Sequence, residues 1–451
     1  MTGCYRNLHK SRFSLPVVLI LACLLTSHAL LHGQSLADSL MPEVTLPKAI
    51  TYAIKRQPVI RQAILDEEIT AGQIRSKLAD WYPQVNFNYL LQHNFLLPTS
   101  QIGGNAIKIG TDNTSALQLT LTQNIFNRDV LLASSTKEDV LQQSRQHTIS
   151  SKIDLAVAVS KAFYDVLTTM QQIKVSEATM SRISQSLKDA YHQYTAGLTD
   201  KTDYKRATII LNNARAAKKN NEESLSTKLA QLASLMNYPA NAPLNIVYDS
   251  LQMENDATLD TMQVPDYKAR IEYKQLALQQ KLLDANVRYT RWSYLPSLSL
   301  NGAYNFNFQS NSFGELYNRN YPTFYTGLTL AFPIFQGWKR TSTIEVAELQ
   351  RERSDWDMAT LKNAVNAAYT QALASYKSNY ANYLMLKENV QLATEVYEVI
   401  EMQYRAGVKT YLEVINAETD LRTARINYYT ALYQVVAGKI DVQKALGQIN
   451  Y

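Results

Sequence analysis

The sequence predicts a mainly α chain with a smaller β component, built as one unit used twice: two amphipathic strands followed by a long antiparallel helical hairpin. Three observations carry this. The chain repeats four short landmarks at a near-constant offset, its hydrophobic period switches from helical to two and back, and its heptad series are far longer than ordinary globular helices. With only 14 Gly and 12 Pro in 451 residues, an all-β or low-complexity chain is disfavoured.

The first segment reads as an export signal. Arg6, Lys10 and Arg12 form a basic start, an apolar run from Phe13 to Leu25 follows, and small residues stand near Ala29 and Gly33. A signal peptide over residues 1–33 is expected, cleaved after Ala29 or Gly33. The run is short for a retained spanning helix of about 20 residues. Cys4 and Cys23 both lie in this segment, so the mature chain is expected to hold no disulfide and no thiolate metal site. Lipidation of Cys23 is the alternative, set against an apolar run that continues through Leu24, Leu25, Leu30 and Leu31. Removing the signal takes three positive charges from a formal net charge of +6, too small a surplus to imply nucleic acid.

Asp80-Trp81-Tyr82-Pro83 matches Trp292-Ser293-Tyr294-Leu295-Pro296, and Asn124-Ile125-Phe126-Asn127 matches Pro333-Ile334-Phe335-Gln336. Tyr194-Thr195-Ala196-Gly197 matches Tyr404-Arg405-Ala406-Gly407, and Leu235-Met236-Asn237 matches Leu446-Gly447-Gln448. Each pair is displaced by about 210 residues, which defines a first repeat over 34–263 and a second over 264–451.

Each repeat opens with an entry helix. In the second copy Asp266 to Trp292 carries Ile271, Leu278 and Leu282 at helical spacing; in the first, Pro58 ends a short helix near Gln57 and starts another. Period two follows. Val85, Phe87, Tyr89 and Leu91 alternate with Gln84, Asn86, Asn88 and Leu90, and Leu117, Leu119 and Leu121 with Gln118, Thr120 and Thr122. Leu298, Leu300, Tyr304, Phe306 and Phe308 form a third face, and Phe324, Thr326, Leu328, Leu330 and Phe332 a fourth. The expected strand pairs span about 83–97 with 114–127 and about 296–309 with 322–335. Apolar on one side and polar but uncharged on the other, they suit transmembrane strands facing lipid and lumen. Trp81, Tyr82, Trp292, Tyr294, Tyr321, Tyr325, Phe332, Phe335 and Trp338 cluster at their ends like an interfacial girdle. The linkers Leu96–Asn113 and Gln309–Pro322 are long and polar, like external loops. A soluble sheet with one wet face is the plainer alternative.

The helical hairpins are expected over about 128–238 and 338–447. From Val365 the seam runs Tyr369, Ala372, Tyr376, Asn379, Tyr383, Leu386, Val390, Ala393, Tyr397, Ile400 and Tyr404, in steps of four and three. A second series, Val414, Ala417, Leu421, Ala424, Tyr428, Ala431 and Val435, follows a reversal at Gly407, with Thr410 starting the new helix; Gly197 and Thr199 are the counterparts in the first copy. Helices of this length approach about 100 Å. Four strands cannot close a membrane barrel, whose minimum is about eight, so several chains must share one.

These features resemble the TolC-like outer-membrane efflux proteins over the whole mature chain. The more specific motif is the second turn, Tyr404-Arg405-Ala406-Gly407-Val408-Lys409-Thr410-Tyr411-Leu412-Glu413-Val414-Ile415-Asn416-Ala417. The resemblance implies a homotrimer with a shared 12-stranded β-barrel in outer-membrane lipid and a periplasmic α-helical tunnel. It also implies docking on a periplasmic adaptor and an inner-membrane pump, for efflux or type I secretion. It further implies a gate latch at the tunnel tip, which falls on Asp203, Tyr404 and Lys409, with Lys409 in place of the family's usual Arg. A constriction ring falls on Glu413 and Asn416, and Asp420, one heptad on, adds a second acidic position.

No catalytic constellation or cofactor site competes with this reading. The six His, at 9, 28, 32, 93, 147 and 192, show no ligand spacing, and there is no phosphate loop or nucleophile elbow. No enzyme activity, metal or cofactor is expected. A structural periplasmic coiled-coil protein or adhesin is the alternative; it explains the heptads but not the paired amphipathic strands.

Overall fold

The computed structural model describes residues 41–451 apart from 198–199, 241 and 248–249. The expected signal peptide and the expected Thr199 cap lie outside the described residues.

The chain enters through α1 (Leu46–Arg56) and α2 (Pro58–Ala79). Gln57 between them is extended at φ −63° and ψ 126°, because a residue before proline is pushed out of the helical region. Then come β1 (Gln84–His93), a small hairpin of β2 (Thr99–Ile102) and β3 (Asn105–Lys108), and β4 (Asn113–Phe126). The first long hairpin is α3 (Arg128–Thr195) with α4 (Lys201–Met236). The inter-repeat linker carries the short α5 (Ser250–Asp256). The second half follows with α6 (Ile271–Arg291), β5 (Ser297–Ser310), β6 (Thr323–Ala331), α7 (Lys339–Arg405) and α8 (Tyr411–Leu446). The expected entry helix from Asp266 starts later, at Ile271. The Asp266 side chain accepts from the Lys268 amide, a single 3-10 turn forms over Tyr267–Ala269, and Arg270 is extended.

The four long strands form one antiparallel sheet in the order β1-β4-β5-β6. Its register aligns the two faces across the whole sheet. Phe87 pairs with Leu119, Leu119 with Tyr304 and Tyr304 with Phe324, so one face is a continuous apolar belt. One residue along, Asn88, Gln118, Asn305 and Thr323 form a polar row on the other face. The Asn305 amide donates to Thr323 Oγ1 at 3.0 Å and Asn301 to Thr329 Oγ1 at 2.9 Å, so this face is cross-linked by uncharged hydrogen bonds. A one-residue slip would put Asn86, Asn88, Asn301, Asn305 and Asn307 into the apolar belt, which fixes the register. The edge strands β1 and β6 are exposed along their whole length. The linker after β5 does not run free: Leu316 is buried, and Tyr317 lies against Phe308 and donates to Ser115 Oγ at 3.2 Å.

At 68 and 67 residues, α3 and α7 each extend roughly 100 Å at about 1.5 Å per residue. Each packs along its hairpin partner, and α3 also packs on α8, which joins the two hairpins. Along the seam Tyr397 of α7 packs with Val414, Ala417 and Leu421 of α8, Tyr383 lies 5.7 Å from Tyr428, and Tyr376 meets Gly438. Asn379, the polar break in the seam, donates to the Gln434 carbonyl across the hairpin at 3.4 Å. Among the described residues no helix is long and apolar enough to cross a membrane. Helices α1 and α2 lie on α3, and α6 lies on both α3 and α7. Gly447, left-handed at φ 72°, ends α8 against the Ala269 backbone: a Cβ would sit 3.2 Å from the Ala269 carbonyl carbon.

Candidate functional site: the helical tip and the strap above it

The tip is made by the two helical turns. In the second, Gly407 takes φ 75°, the Val408 amide donates back to the Gln403 carbonyl (2.9 Å) and Gly407 to Tyr404 (2.9 Å). These two bonds are the Schellman termination, which requires a left-handed residue after the helix. In the first turn Gly197 takes φ 72°, and Asp200 caps α4 by accepting from the Thr202 amide.

The Tyr404 hydroxyl donates to Gln193 Oε1 at 3.1 Å, tying α7 to α3 across the tip. The Tyr404 ring also packs at a tilt against the buried Tyr411, with ring centroids 5.7 Å apart. Burial pushes both phenols above their ordinary pKa, and the Asp203 carboxylate adds to the effect on each. Asp203 therefore stands close to the tyrosine pair, in the first turn of α4. The chain does not bring Lys409 to Asp203. The Lys409 ammonium donates to Glu413 Oε1 at 2.6 Å, four residues on in its own turn. The other Glu413 oxygen accepts from the Thr410 amide (2.9 Å) and hydroxyl (3.0 Å), forming a capping box. The local i,i+4 pairing wins because both groups are already on one helix end and lose little entropy on meeting. Hydrogen bonding from Lys409, then from Thr410, holds the Glu413 carboxyl down at about 2.

Glu413, Asn416 and Asp420 lie on one stripe of α8, about a quarter-turn round from the buried Val414, Ala417 and Leu421. Asn416 and Asp420 are exposed. The same stripe continues as Thr423, Asn427, Thr430 and Gln434, all exposed and uncharged. Of this stripe, Glu413 already has a cationic partner and Asp420 forms no ion pair among the described residues.

Two clusters escaped sequence reasoning. First, Glu418, buried at 4% exposure, receives a two-pronged bond from Arg182 of α3, with both N–O distances 2.8 Å. The guanidinium also lies 5.5 Å over the Tyr397 ring. Burial and the neighbouring Glu401 and Glu418 charges raise the Tyr397 phenol to about 12. The only sequence signal was a charged residue beside the Val414–Ala417–Leu421 seam. Second, the inter-repeat linker is strapped across the second hairpin. Lys387 Nζ meets Glu254 at 2.5 Å, Tyr428 donates to the same carboxylate, and Tyr376 donates to the Ala257 carbonyl at 2.8 Å. Lys439 donates to the Asp256 carbonyl at 2.7 Å, and the Tyr369 hydroxyl to that of Gln263. Here the abundant tyrosine of the sequence has its use: an apolar ring in the seam and a hydroxyl on the strap.

Comparison with known proteins decides the family. The outer membrane efflux protein model matches residues 49–238 and 270–448, one match for each repeat. The chain belongs to the outer membrane efflux protein family. Relatives include the outer membrane protein TolC of Escherichia coli K12, 22% identical over 442 residues, covering 93% of this chain and 86% of that protein. The probable efflux pump outer membrane protein TtgC of Pseudomonas putida is 22% identical, covering 89% and 82%. Among solved structures, CusC superposes with a TM-score of 0.72 at 18% identity, covering 89% of this chain and 91% of that one. VceC of Vibrio cholerae gives 0.69 at 14%, covering 89% and 96%. As a member of this family the chain is an outer-membrane protein: its four-stranded sheet is a segment of membrane β-barrel and its hairpins are periplasmic tunnel wall.

Proposed function

We propose that this chain works as a homotrimeric exit duct, receiving substrates from a periplasmic adaptor and inner-membrane pump and passing them outward without chemistry. The observation that carries the reading is the sheet. Its register keeps one face apolar and the other polar and uncharged, while both edge strands stay exposed. An exposed flat apolar edge is an aggregation hazard unless a second copy pairs with it. Three copies give about twelve strands, above the barrel minimum of about eight, with twelve helices continuing as a tunnel.

The tip is the gate in this reading, with Asp203, Tyr404 and Lys409 as its latch. Among the described residues of one protomer, Tyr404 bonds to Gln193 across the tip, a neutral contact worth about 0.5–1.5 kcal/mol. A gate that must yield to a docking partner suits a link of that strength. The constriction ring is assigned to Glu413, Asn416 and Asp420. Pairing with Lys409 leaves the ring's uncompensated charge on Asp420.

The experiment is drug susceptibility of cells deleted for their own duct and complemented with this chain, with Tyr404→Phe alongside. Restored resistance to exported compounds, and a higher resting conductance for Tyr404→Phe in planar bilayers, support the reading. Restored secretion of a protein substrate without drug resistance assigns the duct to secretion. Failure of both, with the protein assembled in the outer membrane, overturns it.

A further inference from the structure

We propose that Arg182 and Glu418 form a second lock, inside each protomer, that sets how far up the hairpins the tip can open. The inference rests on the reading of the tip as a gate. Among the described residues, two direct side-chain links between the first and second hairpins stand at or near the tip, and they differ in kind. The outer one, Tyr404 to Gln193, joins two neutral, half-buried groups by one bond of 3.1 Å. The inner one, Arg182 to Glu418, joins two charges by two bonds of 2.8 Å, with the carboxylate almost wholly buried.

The two links are separated along α3 by the stretch from Gln193 to Arg182, about 16 Å at 1.5 Å per residue. The inner pair lines a small cleft with Ile183, Tyr397, Tyr411 and Val414, its Glu418 side chain 5% exposed and its Arg182 side chain 25%. Taking one charge of such a pair away from the other leaves an ion in an apolar site, which is far costlier than losing a neutral hydrogen bond. The two planar groups also match only in one relative orientation, so the pair tolerates little sliding of α8 against α3. Below the pair, the described residues of the tip show the neutral Tyr404–Gln193 tie and the glycine turns at Gly197 and Gly407. Above it, the strap through Glu254 and Asp256 holds α5 to the hairpins. Arg182 and Glu418 therefore act as positioning residues: they end the compliant segment and begin the rigid tunnel.

The test is single-channel conductance of purified, assembled protein in planar bilayers, read with its thermal stability. Glu418→Gln and Arg182→Lys, which keep volume, are expected to raise resting conductance several-fold. The exchanged pair Arg182→Glu with Glu418→Arg is expected to return it toward the parent value. Tyr404→Phe combined with Glu418→Gln is expected to exceed either alone. If Tyr404→Phe raises conductance while Glu418→Gln and Arg182→Lys leave it at the parent value, the inner lock is overturned and the tip gate stands. If the inner variants raise it and Tyr404→Phe does not, the inner lock stands and the tip latch falls. If none moves it, both fall. A loss of stability with unchanged conductance, unrelieved by the exchange, also overturns the inference in favour of packing alone. If Glu418→Gln fails to assemble, Arg182→Lys, which keeps the charge but not the fork, decides by the same criterion.

Discussion

Leu119 and Gln118 are neighbours on β4, one on each face of the sheet. Leu119 sits between Phe87 and Tyr304 in the apolar belt, and Gln118 between Asn88 and Asn305 in the polar row. Leu119→Arg carries a guanidinium into lipid near mid-membrane, where the cost is about 2–4 kcal/mol per chain. Gln118→Arg places the same group in a water-filled lumen, where that cost is near zero. With three chains in one barrel the difference reaches roughly 6–12 kcal/mol per assembly, a large share of any membrane protein's stability. The assay is urea unfolding of each variant from lipid vesicles, with the yield of heat-modifiable assembled protein in the outer membrane as a second measure. Leu119→Arg should lose most of its assembled protein and Gln118→Arg little. Equal losses, or the reverse order, would refute the assignment of the two faces.

Three further outcomes follow from the helices. Gly407→Val forces a β-branched residue to φ 75° and should cost about 1–2 kcal/mol or more, seen as a lower melting temperature of the assembled protein; Val408→Ala beside it should be nearly silent. The Glu413 carboxyl is depressed to about 2, so the Lys409 and capping contacts contribute above its ordinary range near 4.5 and are lost only as pH falls through about 2. Resting conductance should therefore show no Glu413-dependent step between pH 7 and pH 4, checked by comparing the parent with Glu413→Gln across that range. Glu254→Gln removes the charge that meets Lys387 and Tyr428, and hydrogen exchange should quicken in the linker around Ala257 while the sheet stays protected.

The strands were legible because period two survives into a register that sorts whole faces: Phe87, Leu119, Tyr304 and Phe324 stand in one row although they come from distant parts of the chain. The helices were legible because the seam from Val365 to Tyr404 repeats in steps of four and three, and because Gly407 marks its end. The pairings within one chain around the tip were less legible, for a physical reason. Lys409 was matched to Asp203 by motif, but a lysine four residues before a glutamate at a helix start meets the nearer carboxylate. Arg182 and Glu418 lie 236 residues apart, and nothing local marks either as the other's partner. The strap was hidden for the same cause, since its acceptors are mainly backbone carbonyls, which sequence patterns do not show. The start of α6 was misplaced because Asp266 prefers to cap its own short turn.

The central claim is that the conduit belongs to an assembly in which β1 of one protomer pairs with β6 of the next. Within one chain Phe87 and Phe324 are three strand spacings apart, about 14 Å, beyond the roughly 7 Å limit for a disulfide. A cysteine at Phe87, combined in turn with one at Phe324, Thr326 or Leu328, can therefore close only between chains. The account predicts that oxidation in the outer membrane gives, for one of these registers, a covalent band of three chains and nothing larger. No cross-link at any register, or an open-ended ladder beyond three, would contradict it.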